Sequence, residues 1–492
     1  MALDSLALPP TYADVLKPYM PIFYVSFLAT IILTPLMRAL AHEHGVVDDP
    51  DNKRKVHTQP IAYLGGVSIF LGWIAGISIA VFLRPHTLAP SIQIPPGIIL
   101  GAFTVVLFGL LDDVYGLQPR FKLLGQFIAA LFLILPAIVP NLPGFRDTDF
   151  LMTGQNGPAW MFLKPLLDHK ILPLGADGWP LVQVGAMLFS AGVAVVVIIS
   201  TCNATNLLDG LDGLCSGVTG VMSVGYLLLA LYLATVASSV PVASGSAIDP
   251  VRIAVSLALL GAVLGFLPFN FNPASIFMGD TGSMFLGYIC GTMILLFAQI
   301  GAMKWFLGAI IMFGLPMMDT LLAIVRRKLN GKPVFSPDSN HFHHFLIRRG
   351  LSVRRAVLLS YGIAAVFVSF GLVIVIIPTT LAIGVYLVLF GWIIVAAFKM
   401  GMIFQHSPQV TTNKSLNLSV ITPMESERPP AKAENSTDAT QADAAAGTST
   451  APLVHKTVES ESGSSTRLQA HVTEKEPAKP VRPPKESPLP RR

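Results

Sequence analysis

Residues 181–213 read LVQVGAMLFSAGVAVVVIISTCNATNLLDGLDG, an almost wholly apolar run through 200 that passes directly into Asn203, Asn206, Asp209 and Asp212. The apolar part is long enough to cross a hydrocarbon core of ~30 Å, which takes roughly 20 residues of helix. The polar part is then left at the membrane edge, where carboxylates are costly and tend to be functional. Asn206, Asp209 and Asp212 are three apart and share a face if the helix continues. Gly210 and Gly213 beside them suit a polar loop equally well.

Ten further stretches have the same character, near 21–40, 62–83, 96–111, 122–140, 215–236, 252–270, 282–300, 305–325, 357–377 and 380–399. The composition agrees: 53% of the 492 residues are hydrophobic and 12% charged, where a soluble domain carries about 25% charged. The expected fold is therefore all-α, a polytopic membrane protein of about eleven transmembrane helices. The first stretch contains Pro35, ends near Arg38 and lacks a small-residue cleavage signature, so it reads as a retained span. Cys202, Cys215 and Cys290 are odd in number and show no metal-type pairing, so neither a disulfide framework nor a zinc site is expected.

With eleven spans the termini lie on opposite sides, and Lys and Arg choose the orientation. One face collects Arg38, Lys53, Arg54, Lys55, Arg120, Lys122, Arg326, Arg327, Lys328, Lys332, Arg348, Arg349, Arg354, Arg355 and Lys399; the other has only Lys17, Arg84, Arg146, Lys164, Lys170, Arg252 and Lys304. The crowded face should be cytoplasmic, which puts the N-terminus out and the C-terminus in. Residues 1–400 thus read as a membrane domain. Residues 401–492 hold 11 of the 33 Lys and Arg and 10 of the 28 Asp and Glu with almost no aromatics, a composition that predicts a disordered cytoplasmic tail. Residues 141–180 form a longer outward segment rich in Pro, Gly and Asp with no legible chemistry.

Every polar cluster falls on that cytoplasmic face. Asp112 and Asp113 close the third stretch; Asn270, Asn272 and Asp280 follow the seventh, the last in Gly-Asp-Thr-Gly-Ser; His341, His343 and His344 follow the ninth. An adjacent Asp pair at a helix end can be a solvated cap, yet two carboxylates at a membrane edge repel and call for a cation or a proton. Carboxylates without soft ligands suit Mg²⁺ or Mn²⁺, which bridge carboxylates and substrate phosphates, and histidines after a basic stretch favour an anionic ligand. The inventory points to a phosphorylated substrate reached from the cytosol. No Gly-x-x-x-x-Gly-Lys-Ser/Thr segment is present, which excludes a P-loop ATPase. A secondary transporter would also carry membrane carboxylates, but near the midplane, where only Asp319 lies. An inactive scaffold would not need so many intact motifs.

The Asp112-Asp113 pair, Asn206 to Gly213, Phe277 to Ser283 and the His341/His343/His344 segment resemble, in order and spacing, the polyprenyl-phosphate N-acetylhexosamine-1-phosphate transferases, glycosyltransferase family 4. Arg54-Lys55-Val56-His57, Leu64-Gly65-Gly66 and Lys122 to Gln126 extend the match, which covers residues 20 to 400. The resemblance implies transfer of sugar 1-phosphate from a UDP-N-acetylhexosamine to undecaprenyl phosphate in the bacterial inner membrane, with release of UMP and the start of a lipid-linked envelope glycan. It implies Asp280 as the Mg²⁺ (or Mn²⁺) ligand and Asp112 and Asp113 as the pair serving the lipid phosphate nucleophile. Asn206, Asp209, Asp212, Asn270 and Phe277 would hold the uridine and amino sugar, and Lys122, His341, His343 and His344 the phosphates. Asp319 matches a family position and could equally be structural. The histidine segment is similar to the UDP-GlcNAc branch rather than the UDP-MurNAc-pentapeptide branch, which carries three consecutive histidines. Lipid and UDP-sugar are the implied partners, with no nucleic acid; relatives form homodimers, and nothing in this sequence demands one.

Overall fold

The structure, a computed structural model, describes residues 11–48, 60–82, 94–138, 179–237, 249–298, 300, 303–331, 333 and 341–399. The tail read at 401–492, the outward segment at 141–180 up to residue 178, and the Arg54 to His57 motif lie outside the described residues.

The described residues fold as a helical bundle. A short helix α1 (Tyr12–Leu16), capped by Thr11 and Asp14 in a reciprocal box, leads into α2 (Met20–Glu43). Then come α3 (Gly65–Phe82), α4 (Pro96–Tyr115), α5 (Pro119–Ile138), α6 (Trp179–Leu208), α7 (Leu214–Ala237), α8 (Asp249–Asn270) and α9 (Gly279–Ala298). The series closes with α10 (Met303–Met312), α11 (Gly314–Leu329), α12 (Phe342–Arg348), α13 (Val353–Ile376) and α14 (Thr379–Lys399). Seven spans among the described residues are long and apolar enough to cross a membrane, and α10 with α11 makes an eighth; α3 and α14 are shorter apolar helices. The chain is a multi-pass membrane protein.

Three features depart from the sequence reading. The stretch at 305–325 is a pair of helices bent by 78°. Pro316 supplies the reason: it has no N–H to give the Met312 carbonyl, and its ring crowds that carbonyl, so the helix breaks at Phe313. The stretch from 181 runs two turns past 200, so Asn203 and Asn206 ride on α6 while Asp209 and Asp212 sit in the connection to α7. The two local readings of that segment are each half right. Finally, all-α omits two short strands, β1 (Val47–Asp48) and β2 (Ile61–Ala62), paired antiparallel with Val47 opposite Ala62. Two residues are too few to display a period-2 pattern.

Helix α9 is the axis of the bundle. It is apolar on all sides, as a helix enclosed by others must be, and every residue from Thr281 to Ala298 is buried; it packs on α3, α4, α6 and α10. The outer helices do the reverse. On α14, Val388 and Trp392 are 73% and 69% exposed, apolar surface of the kind lipid covers.

Chain direction then fixes where polar residues gather. Helix α4 ends at Gly116, whose N–H bonds to the Asp112 carbonyl at 2.8 Å in a left-handed turn, and α5 begins three residues later at Pro119. The C-terminal end of α4 and the N-terminal end of α5 are therefore neighbours. The end of α6 and the start of α7, and the end of α8 and the start of α9, are also joined by short connections, and side-chain contacts bring Asp112, Lys122, Asn206, Asp212, Asn270 and Asp280 to one end.

Candidate active site

The site is built on the N-terminus of α9. Gly279 takes φ +66, and a Cβ there would lie 2.5 Å from Asp113 Oδ2, so glycine is required both for the turn and for the approach. Asp113 reaches across from α4. Its Oδ1 accepts from the Asp280 N–H at 2.8 Å, and its Oδ2 accepts from the Thr281 N–H at 3.0 Å and the Thr281 hydroxyl at 2.6 Å. A helix start leaves such N–H groups without intrahelical partners and carries positive dipole charge; Asp113 answers both from another helix.

Asp112 takes a different path. Its Oδ1 accepts from the Leu117 N–H at 2.8 Å, and its Oδ2 is 2.7 Å from the Lys122 ammonium. Lys122 also donates to Asp280 Oδ2, while Asp280 Oδ1 accepts from the Asn206 amide at 2.8 Å. Asp112, Asp113 and Asp280 offer oxygens all within 4.8 Å of one another. Three hard oxygen donors so close suit a small divalent cation bound together with phosphate oxygens. Since both Asp113 oxygens hold α9, Asp280 and Asp112 are the members freer to turn to an ion.

Beside this cluster lies a cavity of about 270 Å³ lined by Tyr63, Asn206, Asp209, Gly210, Leu211, Asp212, Asn270, Phe277, Gly279 and Asp280. Backbone pairing builds its aromatic wall. Phe277 N–H donates to the Ala62 carbonyl at 2.8 Å and Gly65 N–H to the Phe277 carbonyl at 3.0 Å, which sets the Tyr63 and Phe277 rings 5.9 Å apart at 57°. Gly66 permits this, because a side chain there would enter the Gly282 backbone. Tyr63 was not among the sequence candidates; the Leu64-Gly65-Gly66 motif beside it was the available signal.

The remaining candidates divide. Asp212 accepts from the Asn272 amide at 2.9 Å and the Ala274 N–H at 3.0 Å. Asn270 is 3% exposed; its oxygen accepts from Ser216 at 2.8 Å and Gly213 N–H at 3.2 Å, and its nitrogen donates to the Ile276 carbonyl at 3.1 Å. Both therefore hold the cavity's loops together as well as line it. Burial, followed by repulsion from Asp280, Asp113 and Asp212, pushes the Asp209 carboxyl up to about 8, so it is a neutral acid at neutral pH.

His341, His343 and His344 form a cluster of their own, with His343 and His344 ring centroids 4.3 Å apart. His343 packs against Gly210 of the cavity wall. Burial, then the neighbouring His344, lower its pKa to about 3, which makes it a neutral imidazole in this arrangement and not a standing cation. His344 is lowered as well, by burial first and His341 second. Among the described residues, Lys122 is the cation in contact with the carboxylates of Asp112 and Asp280.

Two carboxylates sharing one ammonium, with a third beside them and tilted aromatic rings next to them, suit a ligand that combines anionic oxygens with a flat base. That is the equipment of a membrane enzyme of phosphoryl or sugar-phosphate transfer. Comparison with known sequences narrows the class: the chain belongs to glycosyl transferase family 4, whose model matches residues 95–298, from α4 through α9. It is 35% identical over 346 residues to a probable undecaprenyl-phosphate N-acetylglucosaminyl 1-phosphate transferase of Bacillus subtilis, covering 70% of this chain and 82% of that one. A decaprenyl-phosphate N-acetylglucosaminephosphotransferase of Mycolicibacterium smegmatis is 33% identical, over 72% of this chain and 82% of its own. A phospho-N-acetylmuramoyl-pentapeptide-transferase of Desulforudis audaxviator is 30% identical, over 71% and 95%.

Proposed function

We propose that this protein transfers N-acetylglucosamine 1-phosphate from UDP-N-acetylglucosamine to undecaprenyl phosphate, releasing UMP. The observation that carries the reading is the Asp112–Lys122–Asp280–Asn206 cluster opening onto the Tyr63–Phe277 wall. In the reaction an oxygen of the lipid phosphate attacks the β-phosphorus of the donor, a new P–O bond forms, and the bond to the α-phosphate bridging oxygen breaks as UMP leaves. Two anions must meet, so positive charge is the main requirement. Lys122 meets it at the carboxylates. Mg²⁺ or Mn²⁺ held by Asp280 and Asp112, when bound, supplies further charge opposite the pyrophosphate.

The chain's own groups do the rest under this reading. Asp112 orients the incoming lipid phosphate and Lys122 together, while Asp113 keeps the start of α9, and with it Asp280, in place. Phe277 and Tyr63 give the uracil an apolar surface and an edge. Asn206, Asp209 and Asp212 face the ribose and amino sugar, and the imidazoles of His343 and His344 accept or donate to phosphate oxygens.

The topology follows the charges. Counting α3, α5 and α14 with the other spans and α10 with α11 as one, the chain crosses the bacterial inner membrane eleven times, N-terminus out. Arg120, Arg326, Arg327, Lys328, Arg348, Arg349, Arg354 and Arg355 attend the site's end, which makes that end cytoplasmic. Residues 401–492 form a tail outside the catalytic domain.

The test is direct. Detergent-purified protein with undecaprenyl phosphate and Mg²⁺ receives UDP-GlcNAc, UDP-GalNAc or UDP-MurNAc-pentapeptide, and UMP and lipid-linked product are quantified. Turnover with UDP-GlcNAc alone, abolished by EDTA, is expected. Folded protein that releases no UMP from any donor refutes the reading for these substrates.

A further inference from the structure

Asp319 lies on α11, three residues beyond the Pro316 break, and is 2% exposed. The chain places both of its oxygens on one short segment. Oδ1 accepts from the Phe342 N–H at 2.8 Å, and Oδ2 is 3.1 Å from His341 Nδ1. A carboxylate has acceptors only, so Nδ1 carries the proton and a neutral His341 ring keeps its free lone pair on Nε2. Phe342 opens α12, so a single side chain fixes both the start of that helix and the ring before it.

The consequence reaches the cavity through two contacts. The His341 ring stacks on His343 with centroids 5.8 Å apart and planes 9° from parallel. His343 is 1% exposed, packs against Gly210 of the cavity wall, and among the described residues has no hydrogen-bond partner for either ring nitrogen. Buried imidazole nitrogens without partners are costly unless a ligand meets them. Such a ring has to be held in place by its surroundings, and the chain leading from it ends on Asp319.

We propose that Asp319 is a positioning residue of the transfer site: it holds His341 in the Nδ1–H form, leaving Nε2 as the acceptor the transfer uses, and fixes the start of α12, which seats His343 behind Gly210 of the cavity wall. Its catalytic consequence rests on the transferase reading above; its structural half does not. The 78° bend between α10 and α11 acquires a purpose, since it turns the Asp319 arm toward the histidine segment.

Asp319→Asn separates this from a purely structural role. The amide keeps the shape and still accepts from Phe342 N–H, but its NH₂ donates to His341 Nδ1 and forces the ring into the Nε2–H form. A residue that merely ties the chain together would tolerate this change. The full-length variant is expected to melt within a few degrees of wild type. Its histidine ¹⁵N spectrum should show the signal that His341→Asn removes changing from protonated to unprotonated Nδ1. Its kcat should fall by roughly 10²-fold or more, by analogy with tautomer reversal at other carboxylate–histidine pairs, with KM for the UDP-sugar and Mn²⁺ binding within about threefold. Wild-type kcat together with a reversed tautomer, or an unreversed tautomer, overturns the proposal.

If Asp319→Asn does not fold, His341→Asn takes its place. It keeps an N–H aimed at Asp319 and deletes Nε2, so wild-type stability with lost turnover is expected, and full turnover overturns the proposal. Should wild type itself make no UMP, the transferase reading fails on its own, and the ¹⁵N spectrum still decides whether Asp319 sets the ring.

Discussion

At the scale of single residues, the adjacent carboxylates Asp112 and Asp113 share a helix end and one oxygen cluster but not their hydrogen-bond partners. Successive residues on a helix point about 100° apart, so Asp113 meets the first turn of α9 while Asp112 meets Lys122. Replacement should therefore act differently at different corners of the carboxylate cluster. Asp113→Asn weakens three hydrogen bonds to the α9 start and should lower stability by about 1.5–3 kcal/mol, visible as a reduced melting temperature in detergent. Asp280→Asn should cut turnover by about 10³-fold or more while the protein still inserts and melts normally; wild-type activity in that variant would remove Asp280 from the metal role. Asp209 carries a pH signature. Its carboxyl is raised from 3.8 to about 8 in the fold, so the protonated form is the one the folded state favours. The stability it contributes is complete below about pH 4 and is lost as pH rises through about 8. Asp209→Asn, which imitates the protonated acid, should flatten the fall in melting temperature between pH 6 and 8.5; an unchanged slope would assign that fall to other groups.

At the scale of elements, small residues let the helices approach. Gly72 and Gly76 on α3 face Thr30 and Ser26 of α2, and Gly261 and Gly265 on α8 face the backbone at Phe23 and Phe27 of the same helix. Both pairs have the Gly-x-x-x-Gly spacing that lines glycines along one helix face, and in lipid such contact replaces the hydrophobic effect as the force between helices. Gly72→Leu should drive a side chain into Thr30 at a cost of about 3 kcal/mol or more, read as aggregation on size exclusion; a monodisperse, active variant would show that α2 and α3 can separate freely. These glycines were visible in the sequence, but their partners were not, because the spacing names a face and not the helix that meets it. The break at Phe313 has the same status. Pro316 marks a disturbance, whereas the 78° angle is set by how α11 packs on α6 and α13.

At the scale of the whole molecule, the matched family region and the cavity-lining residues all fall before residue 299, and the histidine segment lies before residue 345. Deleting residues 405–492 should accordingly leave the transfer rate within about twofold of the full chain, measured as UMP released per folded protein. A large loss would bring the tail into catalysis or folding.

The apolar runs and the polar clusters at their ends were determined by the sequence alone, since crossing a membrane imposes a length and a composition that no other arrangement requires. The family motifs named the carboxylates, Lys122 and the histidines on the same grounds, residue type in fixed order. Only the tertiary structure decided which carboxylate caps α9 and which faces Lys122, that Asn270 ties loops together, that Tyr63 joins Phe277, and that Asp319 anchors His341. Of those pairings, Asp319 and His341 lie 22 positions apart, Asn270 and Gly213 57, and Asp113 and Thr281 168. At such separations they depend on helix direction, rotation and close approach at glycine, which chemistry along the chain does not encode position by position.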